Sequence, residues 1–234
     1  MIASSPLGER QYAGRVSSRA EPSASRTLER EWWLRTLLVL QSPRAVFAAL
    51  RDDSDEAAAA RQEPMTAIVF LAGISIFLST STAAHLFDDA QIRGDVLLLA
   101  VESIVAGLLV GLQNFCIAGG ALYLGARGMG GKASYRQARH VIGLATAPFI
   151  VSLVLVWPVR LALYGGDVFR SGGSDDGADG RVFQGIDAAF VAWAVGLVLL
   201  GVRTVNRWSW LRSLGALGYA ALLFAGLALL FVLL

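Results

Sequence analysis

Long apolar runs separated by short polar intervals dominate the chain from residue 64 onward, and each run is long enough to cross a bilayer, for which about 20 apolar residues suffice. The runs cover residues 65–86, 96–125, 141–164, 186–205 and 214–234. This pattern predicts an all-α integral membrane bundle of five transmembrane helices. The second run holds 30 residues. At about 1.5 Å per residue it measures about 45 Å, more than a hydrocarbon core of about 30 Å, so it must tilt or begin in the interface.

The N-terminal quarter reads differently. Residues 1–27 are polar, serine-rich and poor in aromatics, with too little apolar surface to offset the entropy of ordering them, and are expected to be disordered. They contain no apolar core of a secretory signal, so the N-terminus is expected to be retained. Residues 28–63 form amphipathic helices and a charged linker: Trp32, Trp33, Leu37 and Leu40, then Val46, Phe47 and Leu50, divided by Ser42 and Pro43. Ser followed by Pro marks a helix start. Neither helix is long enough to span, and tryptophans beside arginines favour the headgroup region. Packing on the ends of the spans is a compatible alternative.

Composition supports a membrane protein. Hydrophobic residues make up 55% of the chain and mean hydropathy is +0.57, against roughly 45–50% apolar residues in soluble domains. A net charge of +2 excludes nucleic acid as the expected partner. The single cysteine, Cys116, and two distant histidines leave no disulfide and no zinc site in view. No cofactor is expected. Only Lys132 among the 20 basic residues is lysine, and abundant Ala, Gly and Arg suggest GC-rich coding and a bacterial inner membrane.

Charge placement sets the expected orientation, because the cytoplasmic side is rich in Lys and Arg. Residues 1–64 hold nine basic residues, the 126–140 loop four, and the interval with Arg203, Arg207 and Arg212 three. The opposite intervals hold four: Arg93, Arg160, Arg170 and Arg181. The N-terminus is therefore expected in the cytoplasm and the C-terminus outside.

The loop after the second run, GMGGKASYRQARH, is the first candidate site. A phosphate-cradling loop is excluded, because Ala126 stands where its first glycine belongs and Ala133 follows Lys132. Gly128, Gly130 and Gly131 permit a sharp turn out of the second span. If Lys132 begins a helix, Lys132, Arg136 and Arg139 form one stripe facing lipid phosphates or a partner's acids. Ser134 and Tyr135 complete the candidate loop.

The order of these features resembles the Yip domain family. Gly130-Gly131-Lys132-Ala133-Ser134-Tyr135-Arg136-Gln137 is similar to that family's loop after the second span, Ala147-Pro148 stands a short way into the third, and Ser42-Pro43 with Val46-Phe47 looks like the opening helix of bacterial members. The resemblance implies five spans, a cytoplasmic N-terminus and a role in membrane organisation or trafficking. The Asp-Leu-Tyr-Gly-Pro motif of eukaryotic members is missing, so small GTPase binding is not carried over.

Ionisable groups within a membrane are costly and often functional. Glu102, Arg160 and Asp187 occupy the outer ends of the second, third and fourth runs. Glu102 with Arg160 forms an interhelix ion pair in the structural reading, and Glu102 with Asp187 a proton or cation site in the functional one. Gln113 and Asn114 suit hydrogen bonds across helices, Gly107 and Gly111 close helix contact, and Pro148 and Pro158 kinks of the third run. The acidic DDGADG stretch lacks the spacing of a calcium loop, and no G-x-S-x-G serine motif occurs. The expectation is a non-enzymatic membrane scaffold or adaptor that contacts the lipid bilayer and other membrane proteins. A small transporter or channel subunit using Glu102 and the kinked third span is the alternative.

Overall fold

The computed structural model describes residues 21–80, 83, 96–169 and 177–233, and every regular element among them is helical. α1 spans Glu21–Leu38, so residues 21–27 are helical where disorder was expected; residues 1–20 lie outside the described part. α2 (Pro43–Ala49) starts at the predicted Ser42-Pro43 boundary, with Pro43 in the first turn, where its missing N–H has no intrahelical partner to lose. α3 (Asp55–Ala60) is capped by Ser54, whose side chain accepts the Ala57 N–H.

α4 covers Gln62–Leu78 and is apolar but short. α5 (Val96–Gln113) passes through a π-helical turn, Asn114–Ala118, into α6 (Gly119–Gly128). α7 (Tyr135–Ala145), α8 (Ala147–Val151), a second π turn at Ser152–Val156 and α9 (Trp157–Tyr164) form the third continuous rod. α10 runs Ala178–Asn206 and α11 Trp210–Leu233. Three rods among the described residues are long and apolar enough to cross a membrane: Val101–Gly128, Tyr135–Phe169 and Gly180–Asn206.

Small residues set the distances between rods. A Cβ on Gly73 of α4 would strike the Gly107 carbonyl and lie 2.7 Å from the Gly111 nitrogen, so the Gly107/Gly111 pair does bring α4 and α5 into backbone contact. Gly125 of α6 meets Ala216 and Ala220 of α11 in the same way, and Gly201 of α10 faces Phe47 of α2. One apolar core joins the N-terminal helices to the bundle through buried Trp32, Phe47, Leu50, Val141, Leu144 and Val202. The outward faces carry exposed Leu109, Leu155, Leu163, Val191, Leu211 and Leu222, a surface suited to lipid and not to water.

Pro148 and Pro158 occupy the first turns of α8 and α9, and each marks a division of the third rod. The widened π turn before Trp157 accommodates the ring of Pro158, which cannot donate to a preceding carbonyl.

Candidate functional site

The loop after α6 is locked to the N-terminal segment through Asp53. Ser134 caps α7 in a capping box: its side chain accepts the Gln137 N–H, and the Gln137 side chain accepts the Ser134 N–H. The same Ser134 hydroxyl donates to Asp53 Oδ2 at 2.6 Å, while Asp53 Oδ1 receives Arg61 at 3.0 Å and faces Arg136 at 3.8 Å. Arg136 also reaches Asp55 at 3.0 Å, and Gln137 Nε2 donates to the Leu50 carbonyl at 2.9 Å. The Arg61 side chain is fully buried, stacks 5.4 Å from the Trp32 ring and donates to the Asp52 carbonyl. Burial, opposed by the Asp53 carboxylate, pulls this guanidinium below its ordinary value.

The expected basic stripe does not form. α7 begins at Tyr135, which leaves Lys132 in the preceding turn, and the two arginines that remain on the helix are engaged within the chain. Arg136 meets Asp53 and Asp55, and Arg139 lies over the rings of Phe115 and Tyr135 at 5.3 and 5.5 Å. The capping box, readable as Ser134-x-x-Gln137, sets the boundary. Tyr135 donates its hydroxyl to the Cys116 carbonyl of the first π turn at 3.1 Å.

Of the three glycines only Gly130 takes a conformation at the turn that favours glycine, while Gly128 still belongs to α6. Gly130 has φ +75°, a left-handed conformation, and Gly131 lies against the Ala126 carbonyl and Asn206. Gly128 packs on Tyr219. Arg212 donates to the Met129 carbonyl at 2.5 and 2.9 Å and stacks 4.5 Å over Trp208. Arg51 donates to the Thr204 carbonyl at 2.6 and 3.0 Å.

These contacts surround an open basin of about 600 Å³ whose lining includes Arg51, Lys132, Arg207 and Arg212 and, among the described residues, no acid. Arg207 ends α10 at φ 55°, the one positive φ of a non-glycine residue among the described residues.

The intramembrane candidates separate. Arg160 pairs with Asp187 at 3.3 Å, and its guanidinium lies 5.1 Å from the Trp157 ring. No ion pair joins Glu102 to Arg160 among the described residues, and Glu102 is half-buried on α5. The Arg160–Asp187 contact joins α9 to α10, so the acid expected to share a cation with Glu102 is held by a guanidinium. Asn114 donates to the Val110 carbonyl of its own helix at 3.0 Å, and Gln113 is exposed. The residues that sequence reasoning overlooked are Asp53, Asp55 and Arg61. Their signal was a cluster of acids, Asp52 to Glu56, within the interval assigned to a charged linker.

A helical bundle with lipid-suited outer faces and an internally braced loop defines a helical membrane protein. The Yip1 domain family model matches residues 37–233, and the chain belongs to that family. No curated protein and no solved structure matches it.

Proposed function

We propose that the protein is a non-enzymatic adaptor with five membrane spans, formed by α4, α5–α6, α7–α9, α10 and α11. Its N-terminal helices and basic basin face the cytoplasm of a bacterial cell. The basin holds acidic segments of neighbouring membrane proteins, and the exposed Trp33, Leu34, Leu37 and Leu38 of α1 rest in the headgroup layer.

One observation carries this reading: among the described residues four basic side chains and no acid line the basin, although Asp53 and Asp55 pair with Arg61 and Arg136. A cluster of like charge outside an internal network attracts an external acid. The excess of basic residues in the 126–140 loop supports the cytoplasmic assignment.

The test uses a photo-crosslinking residue at exposed Ser209, beside the basin, in native membranes. The expected result is a protein adduct that disappears when Lys132→Glu and Arg207→Glu are combined. An adduct that survives the charge reversal overturns the reading. So does solute flux through vesicles of purified protein that Glu102→Gln abolishes. An exterior-only reporter fused after Leu234 is expected to be active, and silence from an intact fusion overturns the orientation.

A further inference from the structure

A second cavity, separate from the basic basin, lies between α4 and α5 and is floored by α7. Its volume is about 190 Å³, below the roughly 300–1,000 Å³ of pockets that enclose a whole drug-sized ligand. It suits part of a molecule whose remainder stays outside.

The walls are ordered along the rods. From α4 come Gln62, Met65, Thr66, Val69 and Phe70, spaced as one helical face with its polar members at the N-terminal end. From α5 and its π turn come Leu108, Leu112, Phe115 and Cys116. Arg139 and His140 of α7 close the end near Gln62.

His140 is 2% exposed, yet its Nδ1 has no hydrogen-bond partner among the described residues, and neither has Arg139 Nε. Buried polar atoms in a folded chain are normally satisfied, and these two belong to side chains that line the cavity, whose closed end is therefore polar. The Arg139 guanidinium is sandwiched between Phe115 and Tyr135 and is paired to no acid among the described residues. Among the described residues no carboxylate lines the cavity. A close-packed Gly119 against the Arg139 Cβ fixes the arginine at this place.

We infer that the cleft between α4 and α5 binds one anionic phospholipid from the bilayer. Its phosphate oxygens meet Arg139 and His140, and one acyl chain lies along Val69, Phe70, Leu108 and Leu112. Exposed Leu108 and Leu112 flank the cleft, so the chain enters from the lipid side. A cation at the end of an apolar groove selects for a lipid that carries both net charge and a chain, as basic pockets between membrane helices do.

Native mass spectrometry of the delipidated full chain in detergent tests this, with phosphatidylglycerol and phosphatidylcholine of identical acyl chains as probes. One phosphatidylglycerol is expected to be retained at a concentration at least about tenfold lower than phosphatidylcholine, which corresponds to about 1.4 kcal/mol. Arg139→Gln is expected to remove that preference, and Leu112→Trp, at an exposed wall position, to weaken retention of both lipids. Should Arg139→Gln fail to fold, Leu112→Trp decides alone. Equal retention of the two lipids, indifference to Leu112→Trp, or displacement by millimolar inorganic phosphate overturns the inference. Lys132→Glu, in the other basin, is expected to leave lipid retention unchanged, so failure here is distinct from failure of the adaptor reading.

Discussion

Asp53 ties the start of α7 to Arg61 ahead of α4: its Oδ2 accepts the Ser134 hydroxyl at 2.6 Å, and its Oδ1 meets buried Arg61 at 3.0 Å and Arg136 at 3.8 Å. The Arg61 side chain is 0% exposed and that of Asp53 25%. Removing one partner of a buried pair leaves a charge without compensation, a loss of about 3–5 kcal/mol that the partial exposure of Asp53 reduces. Asp53→Asn is therefore expected to destabilise the protein by about 2–3 kcal/mol in detergent unfolding, by that buried-pair reasoning. The double variant Asp53→Asn with Arg61→Met is expected to be more stable than Asp53→Asn alone, because the stranded charge is gone. Equal stability of the two variants sets aside the pairing as the source of the loss.

Asp52 supplies a pH dependence. The Ser54 side chain and backbone N–H hold its carboxylate below the ordinary range, the N–H lying 3.1 Å from Oδ1. A depressed folded-state pKa stabilises the fold above the unfolded-state value, and this contribution is lost as pH falls through the folded-state one. The stability difference between the native chain and Asp52→Asn is expected to be constant at neutral pH and to shrink below about pH 4, where free carboxylates titrate. Melting curves from pH 3 to pH 7 measure it. A difference that grows on acidification contradicts the assignment.

The contrast between these two aspartates shows what the sequence made legible. Two of the apolar runs fall inside rods: α10 contains all of the run at 186–205, and α5–α6 contains that at 96–125. The Ser42-Pro43 boundary and the Gly107/Gly111 contact were also readable, because caps and small residues act locally. Asp53 was not, because its partners Ser134 and Arg136 lie about eighty positions away, and only the fold brings them together. The basic stripe failed for a related reason. Periodicity gave the spacing of Lys132, Arg136 and Arg139, but the Ser134 cap decided where the helix began. Arg160 found Asp187 instead of Glu102 because side chains of α9 and α10 meet there, Tyr164 lying edge-on to Phe183 beside the ion pair, a neighbour relation that one-dimensional depth does not encode.

Packing of α4 on α5 predicts an asymmetric response to added methyl groups. A Cβ at Gly73 would meet backbone atoms of Gly107 and Gly111, which cannot rotate away, whereas a Cβ at Gly196 of α10 meets nothing within 4 Å. Gly73→Ala is expected to cost about 1–3 kcal/mol through overpacking. Gly196→Ala is expected to be neutral or to stabilise by about 0.5–1 kcal/mol, since alanine suits a helix interior better. Thermal unfolding in one detergent compares them, and similar losses at both sites argue against close backbone contact at Gly73.

The ion pair of Arg160 with Asp187 predicts structural and not transport behaviour. The arginine side chain is 12% exposed and the aspartate 27%. Asp187→Asn weakens a charge-assisted bond and is expected to lower stability by about 1–3 kcal/mol. Arg160→Leu added to it is expected to lower stability further, because the guanidinium also lies over the Trp157 and Phe183 rings. Vesicle flux assays with common cations are expected to show no change in either variant, and a flux that depends on Asp187 refutes the structural role.

Arg207 tests the adaptor surface without the usual ambiguity between folding and binding. Its φ of 55° places a side chain in a left-handed conformation that glycine adopts freely, so Arg207→Gly relieves strain at the end of α10. Stability is expected to rise, by less than the about 1–2 kcal/mol that a left-handed residue with a Cβ costs, because glycine's greater freedom when unfolded offsets part of it. The same change deletes one of the four charges around the basin. Crosslinking from Ser209 to an acidic partner is therefore expected to fall although the protein becomes more stable. A strained residue persists when something other than stability maintains it. If Arg207→Gly leaves both quantities unchanged, the left-handed arginine carries neither strain nor recognition, and the basin loses its best-placed cation.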